Sequence, residues 1–343
     1  MHFDVMTRAD SWQNVATFAR DVERVGISGL LFTEAGQVPW MMVAAAAQAA
    51  PSLHHSTGIA VAFPRSPMIS AQIAWELASN TKGKFRLGLG SQVKPHIERR
   101  YGVTFEQPAK RMRDYMLAVK ASIQAFRGNE RLDHNGPFYK LNLLTPQWSP
   151  PRHDYENIKI DMSAVNPLML KVTGEVADGL HVHPMHSMPY IKNRVLPALK
   201  EGAQSAGRNL SDIDLIIPVL AVPGDSPEEQ ADMAKEAKTA IGFYGSTPVY
   251  AFQFDDLGYE GVRLKLAETL RSGGREALAA EVSDELLDQF GLVARWDDMA
   301  DKLIDRYNGI ASRVVMYLAK PSILKNRKNL EKWGEIARAV QAA

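Results

Sequence analysis

The stretch KGKFRLGLGSQVKPHIERRYG, residues 82–102, decides the fold class of this chain. It predicts a turn at Lys82 and Gly83, a strand over residues 85–90, and then a polar loop that leads into a helix. Large apolar residues alternate along the strand with arginine or glycine. In a (β/α)8 barrel, the loop after such a strand opens on the face where catalysis takes place.

One face of this strand carries Arg86, Gly88 and Gly90. A strand face made of glycines leaves room for another backbone or for a flat ligand. Small residues needed only for packing are the other interpretation. A dinucleotide fingerprint is excluded, because G-x-G-x-x-G requires a third glycine where Val93 stands.

Predicted strands and helices alternate along the whole chain, which favours a parallel sheet in an α/β protein. Eight strands are predicted, at residues 2–6, 29–33, 56–62, 85–90, 158–162, 179–183, 214–222 and 313–318. Helices are predicted at residues 11–25, 40–49, 68–80, 108–127, 190–206 and 323–341, and one is predicted to open at Ser226. Eight strands with intervening helices predict a (β/α)8 TIM barrel. We expect a single domain over residues 1–343, with insertions at about residues 129–157, where Asn135-Gly136 indicates a hairpin, and 243–295.

The composition limits the function classes. Among 343 residues, 40 Lys and Arg balance 39 Asp and Glu, so charge suggests neither nucleic-acid nor membrane binding. The chain has no cysteine, which excludes disulfides, thiolate catalysis and cysteine-bound metal. No apolar run is long enough to span a membrane and no signal segment is apparent, so we expect a cytoplasmic protein.

The run LASNTKGKFRLGLG, residues 77–90, resembles the luciferase-like family of flavin- and deazaflavin-dependent oxidoreductases. Together, TGIAVAFPRSP at residues 57–67 and GLGSQV at residues 88–93 resemble the branch that uses coenzyme F420. The resemblance implies hydride transfer between that coenzyme and a small-molecule substrate (an alcohol, an enol or an unsaturated carbon), and a homodimer. The alternatives are an FMN-dependent monooxygenase supplied with reduced FMN by a separate reductase, and a non-catalytic barrel.

The resemblance also implies catalytic residues. Glu34 follows the second strand, where the family places an acidic residue beside the cofactor ring, but the histidine that often follows is absent. A capping or salt-bridge carboxylate is the alternative for Glu34. Gln92 lies where some members have an acidic glutamate, and His96 is a candidate for proton transfer because imidazole titrates near neutral pH. A solvated loop histidine is the alternative for His96.

The implied cofactor site has two parts. The family has a non-proline cis peptide in its third strand, which corresponds here to Gly58–Ile59. The residues implied to contact the ring are Gly58, Ile59, Ala60, Phe63, Gly90 and Ser91. The residues implied to bind the phosphate are Ser163, Ala164, Val165 and Asn166, which precede a helix that ends in A-D-G. A helix N-terminus suits a phosphate, although an ordinary capped helix has the same pattern.

A further set of residues is predicted to line the substrate pocket: Trp40, Lys94, His181, His183 and Tyr244. For Trp40, a place in the core is the alternative. Alternation along the sixth strand predicts that His181 and His183 both face into the barrel. We expect these histidines to form a polar lining and not a metal site, because no H-E-x-x-H motif is present.

Overall fold

The structure is a computed structural model that describes all 343 residues. Its strands are β1 His2–Thr7, β2 Gly29–Phe32, β3 His54–Thr57, β4 Ala60–Val61, β5 Phe85–Gly90, β6 His134–Asn135, β7 Lys140–Leu141, β8 Lys159–Ser163, β9 Gly179–His181, β10 Asp214–Pro223, β11 Gly291–Ala294 and β12 Arg313–Met316. Its α-helices are α1 Trp12–Arg24, α2 Trp40–Ala49, α3 Pro67–Asn80, α4 Pro108–Phe126, α5 Pro167–Val176, α6 Met188–Tyr190, α7 Leu196–Ser205, α8 Pro227–Gly245, α9 Phe252–Asp255, α10 Val262–Gly273, α11 Asp284–Phe290, α12 Met299–Tyr307, α13 Ala319–Lys325 and α14 Asn329–Ala342. Short 3₁₀ helices cover Pro146–Trp148, Leu210–Asp212, Pro248–Tyr250 and Arg275–Glu281. Two π-helical segments cover His96–Arg100 and Ile191–Val195.

The strands close into a parallel barrel. The order around the barrel is β1, β2, β3 with β4, β5, β8, β9, β10 and β12, and β12 pairs again with β1. The predicted (β/α)8 TIM barrel is therefore confirmed. Because all strands of the barrel run the same way, the loops that follow them meet at one end of the barrel.

Strand β5 shows how the sequence produces this arrangement. Phe85, Leu87 and Leu89 are buried in the large apolar cluster between the barrel and its helices. The opposite face points into the barrel, where Arg86 binds the carboxylates of Asp161 on β8 and Asp214 on β10, at 2.7 Å and 2.8 Å. The alternation predicted for this strand is confirmed.

The barrel interior is layered. Near the N-terminal ends of the strands, a second ion pair joins Arg313 Nε to Asp4 Oδ2 at 2.6 Å. One step further along the strands, an apolar layer contains Met6, Leu31, Ile216 and Val315. Because the interior is filled at these two levels, space for a ligand remains only at the C-terminal end of the barrel.

Several predicted strand bounds were wrong. The predicted strand at 56–62 is two strands, because the chain leaves the regular ladder at Gly58 and Ile59 between β3 and β4. The predicted strand at 179–183 ends at His181, so alternation no longer applies to His183.

The predicted hairpin is shorter than expected and has a different turn. Asn135 belongs to β6 and pairs with Lys140, so four residues and not two connect the strands. Asp114 on α4 holds this turn, accepting hydrogen bonds from the Phe138 and Tyr139 amides at 2.7 Å and 2.9 Å. A distant carboxylate therefore overrides the local Asn-Gly signal.

The region at residues 243–295 contains a strand that the sequence did not indicate. Strand β11 pairs in parallel with the C-terminal part of β10, outside the eight-stranded closure. A second apolar cluster, which includes Ile241, Phe254, Leu266 and Phe290, packs this region together. The region therefore covers the end of the barrel next to β10.

The predicted C-terminal helix at 323–341 is also two helices, α13 and α14. Asn329 at the start of α14 donates from its side chain to the Ser322 carbonyl at 3.2 Å, which holds the two helices together.

No helix of the structure combines the length and the apolar character that crossing a membrane requires.

Candidate functional site

A buried ion pair lies where β2 and β4 end. The Glu34 carboxylate accepts hydrogen bonds from Arg65 Nη2 at 2.7 Å, Arg65 Nη1 at 2.8 Å and the Val61 amide at 2.7 Å. Arg65 also lies over the Trp40 ring, with Cζ 5.5 Å from the ring centroid. Glu34 is thus a paired carboxylate, and this charged group with its tryptophan forms one wall of the barrel end.

The peptide bond between Gly58 and Ile59 is cis, as the resemblance implied. Its carbonyl, on Gly58, accepts a hydrogen bond of 3.1 Å from Thr33 Oγ1. A Cβ atom at Gly58 would overlap the side chain of Leu31. Residue 58 therefore has to be glycine for the bulge to pack over the apolar layer of the barrel.

The loop after β5 carries three predicted site residues that are all exposed: Gln92, Lys94 and His96. Gln92 has a left-handed backbone with φ of 58°, and its side-chain oxygen accepts a hydrogen bond of 3.0 Å from the Val93 amide. Lys94 lies 3.8 Å from Glu98. These contacts shape the loop itself, and none of the three side chains is buried near Glu34.

Tyr101, which sequence reasoning missed, ends the same loop. Its amide donates to the His96 carbonyl at 3.1 Å, and its hydroxyl oxygen is buried without a hydrogen-bond partner. Burial, with a contribution from the Glu34 carboxylate, raises the pKa of Tyr101, so its hydroxyl stays protonated at neutral pH. No sequence motif marks this residue, because its nearness to Glu34 arises only in the fold.

The two glycines of β5 serve close packing inside the barrel. A Cβ atom at Gly88 would overlap the Thr57 carbonyl and lie 2.6 Å from His181 Nε2. A Cβ atom at Gly90 would lie 2.5 Å from the Ser163 hydroxyl and 2.8 Å from Ile59. At Gly88, the glycine therefore allows another backbone, that of Thr57, to approach closely, which is one of the uses that the sequence suggested for this face.

The turn after β8 presents an open helix start. Ser163 and Val165 are half-buried, Ala164 is buried and Asn166 is exposed. Asn166 is the N-cap of α5, but its side chain makes no capping hydrogen bond. The N–H groups of the first turn of α5 are therefore free at the C-terminal end of the barrel, where they can bind an anion.

The two predicted pocket histidines have different surroundings. His181 lies inside the barrel, with Nε2 3.5 Å from Asp161 Oδ2. Burial opposes the charged form of Asp161, but the Arg86 guanidinium outweighs it and keeps the pKa of this carboxyl below its usual range. His183 instead packs against Tyr244 and Tyr250, at ring centroid distances of 4.7 Å and 4.3 Å. Burial lowers the pKa of His183 to about 4, so this ring is neutral at pH 7.

Three more predicted residues take part in packing. Ala60 is fully buried in β4. Phe63 is buried under the Arg111 guanidinium, whose Cζ lies 4.5 Å from the ring centroid. Ser91 is half-buried and donates from its hydroxyl to the Gln92 carbonyl at 3.2 Å.

A cavity of about 720 Å³ lies at the ends of β1, β10 and β12. Its tyrosines are Tyr244, which also contacts His183, and Tyr317, which packs on the apolar layer of the barrel. Leu31, a member of the same layer, lies against Gly58, where a Cβ atom would overlap its side chain. The cavity and the bulge at Gly58 therefore both adjoin the apolar layer of the barrel.

Comparisons with known proteins agree with this architecture. The chain is 34% identical over 294 residues to an uncharacterized protein of Mycobacterium tuberculosis, and the match covers 86% of each protein. It is 24% identical over 235 residues to an F420-dependent glucose-6-phosphate dehydrogenase of Mycolicibacterium fortuitum, which covers 68% of this chain and 67% of the relative.

Two solved structures have the same fold. The F420-dependent tetrahydromethanopterin reductase of Methanopyrus kandleri superposes with a TM-score of 0.79 at 20% identity, covering 97% of each chain. The oxygenating constituent of 3,6-diketocamphane monooxygenase from Pseudomonas putida, solved with FMN, superposes with a TM-score of 0.68 at 15% identity, covering 99% of this chain and 98% of that one. The luciferase-like monooxygenase model matches residues 1–313. This chain belongs to the luciferase-like monooxygenase family.

Proposed function

We propose that the protein is an oxidoreductase that uses coenzyme F420 to transfer a hydride to or from a small organic substrate. Among its relatives, one named as F420-dependent matches 68% of the chain. The structural support is the open N-terminus of α5, which lies at the same end of the barrel as the Glu34–Arg65 pair and Tyr101.

The residues at this end fit such a cofactor. The free N–H groups at the start of α5, with the Ser163 hydroxyl and Asn166 beside them, suit its phosphate. The bulge at Gly58 and Ile59, with Ala60, Phe63, Gly90 and Ser91 around it, would support the ring. When bound, the cofactor supplies a ring carbon that accepts or donates the hydride.

The protein then has to position the substrate and handle one proton. We assign the proton to Tyr101, because its hydroxyl is protonated at neutral pH, shielded from bulk water and close to the Glu34 carboxylate. Glu34 and Arg65 have a positioning role and do not transfer the proton. Their bidentate pair carries no net charge, and Arg65 holds the Trp40 ring in place. His96 and Gln92, which are exposed, would contact a ligand only from the solvent side.

Cofactor binding tests this proposal directly. The purified protein is titrated with F420 and, separately, with FMN in oxidised and reduced form, and the dissociation constants are compared. Tight binding of F420 without binding of FMN supports the proposal. The reverse result would assign the protein to the reduced-FMN monooxygenases and require a separate reductase, and binding of neither would indicate a non-catalytic barrel.

We also propose a homodimer of the single unit formed by residues 1–343. Three apolar side chains are exposed on neighbouring helices: Val38 just before α2, Met41 on α2 and Ile69 on α3. Their exposed fractions are 42%, 52% and 47%. Exposed apolar groups of this kind favour burial against a second copy. Sedimentation of the wild type and of Met41→Glu tests this, since a dimer through this surface would dissociate in the variant.

A further inference from the structure

The cavity at the ends of β1, β10 and β12 is lined by more cations than carboxylates. Its charged lining consists of Arg8, Asp232, Lys235, Glu236, Arg275, Glu276 and Lys325. Lys325 is paired with Asp232 on the outer side. The other five make no ion pair, and among them the three cations Arg8, Lys235 and Arg275 outnumber the two carboxylates, Glu236 and Glu276.

The two free arginines converge on the tyrosine end of the cavity. Arg8 follows β1 and Arg275 opens the 3₁₀ turn of the covering region, with its Cζ 4.7 Å from the centroid of the Phe243 ring. Burial raises the pKa of Tyr244, and Arg8 and Arg275 are the two charged groups that oppose the rise. Two guanidinium groups therefore lie near Tyr244 at this end of the cavity.

We propose that this cavity binds the substrate of the reaction proposed above, and that the substrate carries a carboxylate or phosphate group held between Arg8 and Arg275. A guanidinium presents two parallel N–H donors that match the oxygens of either anion. Tyr244 lines the same end of the cavity, where its hydroxyl would add a neutral donor. The anion site consists of residues of the protein itself and does not depend on a bound cofactor. Only the assignment of its ligand as the substrate rests on the proposed function.

The cavity also limits the size of the ligand. Pockets of roughly 300–1,000 Å³ hold drug-sized molecules, and this cavity of about 720 Å³ lies within that range. A two- or three-carbon alcohol would leave most of it filled with water. The substrate is therefore an extended organic anion whose uncharged part fills the rest of the cavity, on the side of Tyr317.

Anion binding by the cofactor-free protein tests the proposal. Inorganic phosphate and acetate are each titrated by calorimetry at low ionic strength, where screening is weak. We expect saturable one-site binding of at least one probe. The probe with the lower dissociation constant indicates whether the site prefers phosphate or carboxylate. Arg8→Gln and Arg275→Gln should each weaken it about tenfold, as expected for the loss of a charged hydrogen bond. Both side chains are exposed, so the variants should fold.

Arg271→Gln is the matched control, because Arg271 lies on α10 outside the cavity and is paired with Glu268 at 2.7 Å. An equal loss in Arg271→Gln, unchanged binding in both cavity variants, or no saturable binding of either probe would overturn the proposal. F420 titrations of the same variants should match the wild type. A parallel loss of F420 affinity would assign the cavity to the anionic tail of the cofactor and also overturn it. Anion binding by a protein that binds no F420 would refute the proposed function alone.

Discussion

Arg65 holds the carboxylate of Glu34 through two parallel hydrogen bonds, Nη2 to Oε1 at 2.7 Å and Nη1 to Oε2 at 2.8 Å. The two side chains are 14% and 3% exposed, so the pair is largely withdrawn from water. The Glu34 carboxylate therefore depends on Arg65 for its charge balance, and the pair forms the fixed wall beside which Tyr101 lies.

Arg65→Gln should lower the free energy of unfolding by about 3 kcal/mol, because it leaves a buried carboxylate without its partner. Urea unfolding at pH 7 measures this. Arg113→Gln is the control: Arg113 pairs with Glu175 at the surface, with 51% and 25% of the side chains exposed, and its loss should cost about 0.5 kcal/mol. Equal losses in the two variants would show that the Glu34–Arg65 pair behaves as an ordinary surface pair.

Tyr101→Phe should lower kcat about 100-fold, in the range of a lost general acid, while F420 affinity stays unchanged. Steady-state kinetics and cofactor titration measure the two effects. His96→Ala should also lower turnover more than cofactor affinity, but by less than Tyr101→Phe, since His96 is exposed. Tyr155→Phe serves as the control, because Tyr155 lies on the surface before β8. A larger loss of kcat in His96→Ala than in Tyr101→Phe would assign the proton transfer to His96 instead.

Asn166→Asp should weaken F420 binding about tenfold, a loss of about 1.4 kcal/mol, because a negative charge then faces the cofactor phosphate. Aspartate is as good an N-cap as asparagine and interacts favourably with the helix dipole, so the variant should be at least as stable as the wild type. Asn166→Ser is the neutral control and should bind F420 as the wild type does. If Asn166→Asp bound the cofactor normally, the phosphate would have to lie elsewhere.

Acid should destabilise the protein through its buried histidines. Burial lowers the pKa of His55, and also that of His183 and His186, to about 4. In the unfolded chain these rings titrate near 6.5, so between about pH 6.5 and pH 4 the unfolded state binds more protons. Their contribution to stability is complete above pH 6.5 and decreases as the pH falls toward 4.

His55→Leu isolates one of these groups. Neither ring nitrogen of His55 has a hydrogen-bond partner, so the replacement removes no bond. Within this pH window, the slope of unfolding free energy against pH should fall by up to about 1.4 kcal/mol per pH unit, the value for one proton. Urea unfolding at several pH values measures the slope. An unchanged slope in His55→Leu would show that His55 titrates normally in the folded state.

Most strands and helices could be predicted from local sequence. The predictions failed where a residue distant in the chain binds the segment. Strand β5 was placed correctly from its alternation alone. The hairpin was not, because Asp114, twenty or more residues away, binds its turn. The candidate site shows the same division: the cis bond at Gly58 was implied by the family resemblance of a local motif, whereas Tyr101 is distinguished only by its burial beside Glu34.

The parallel barrel and the loops at its C-terminal end could be predicted from the residues alone, because alternation along a strand and the 3.6-residue helical period are local properties of the chain. Which charged groups pair and which have no partner depends on the folded structure. Arg86 meets Asp214 across 128 residues, while Arg8 and Arg275, farther apart still, reach one cavity without a partner. Such encounters depend on how the barrel closes, and no local pattern records them.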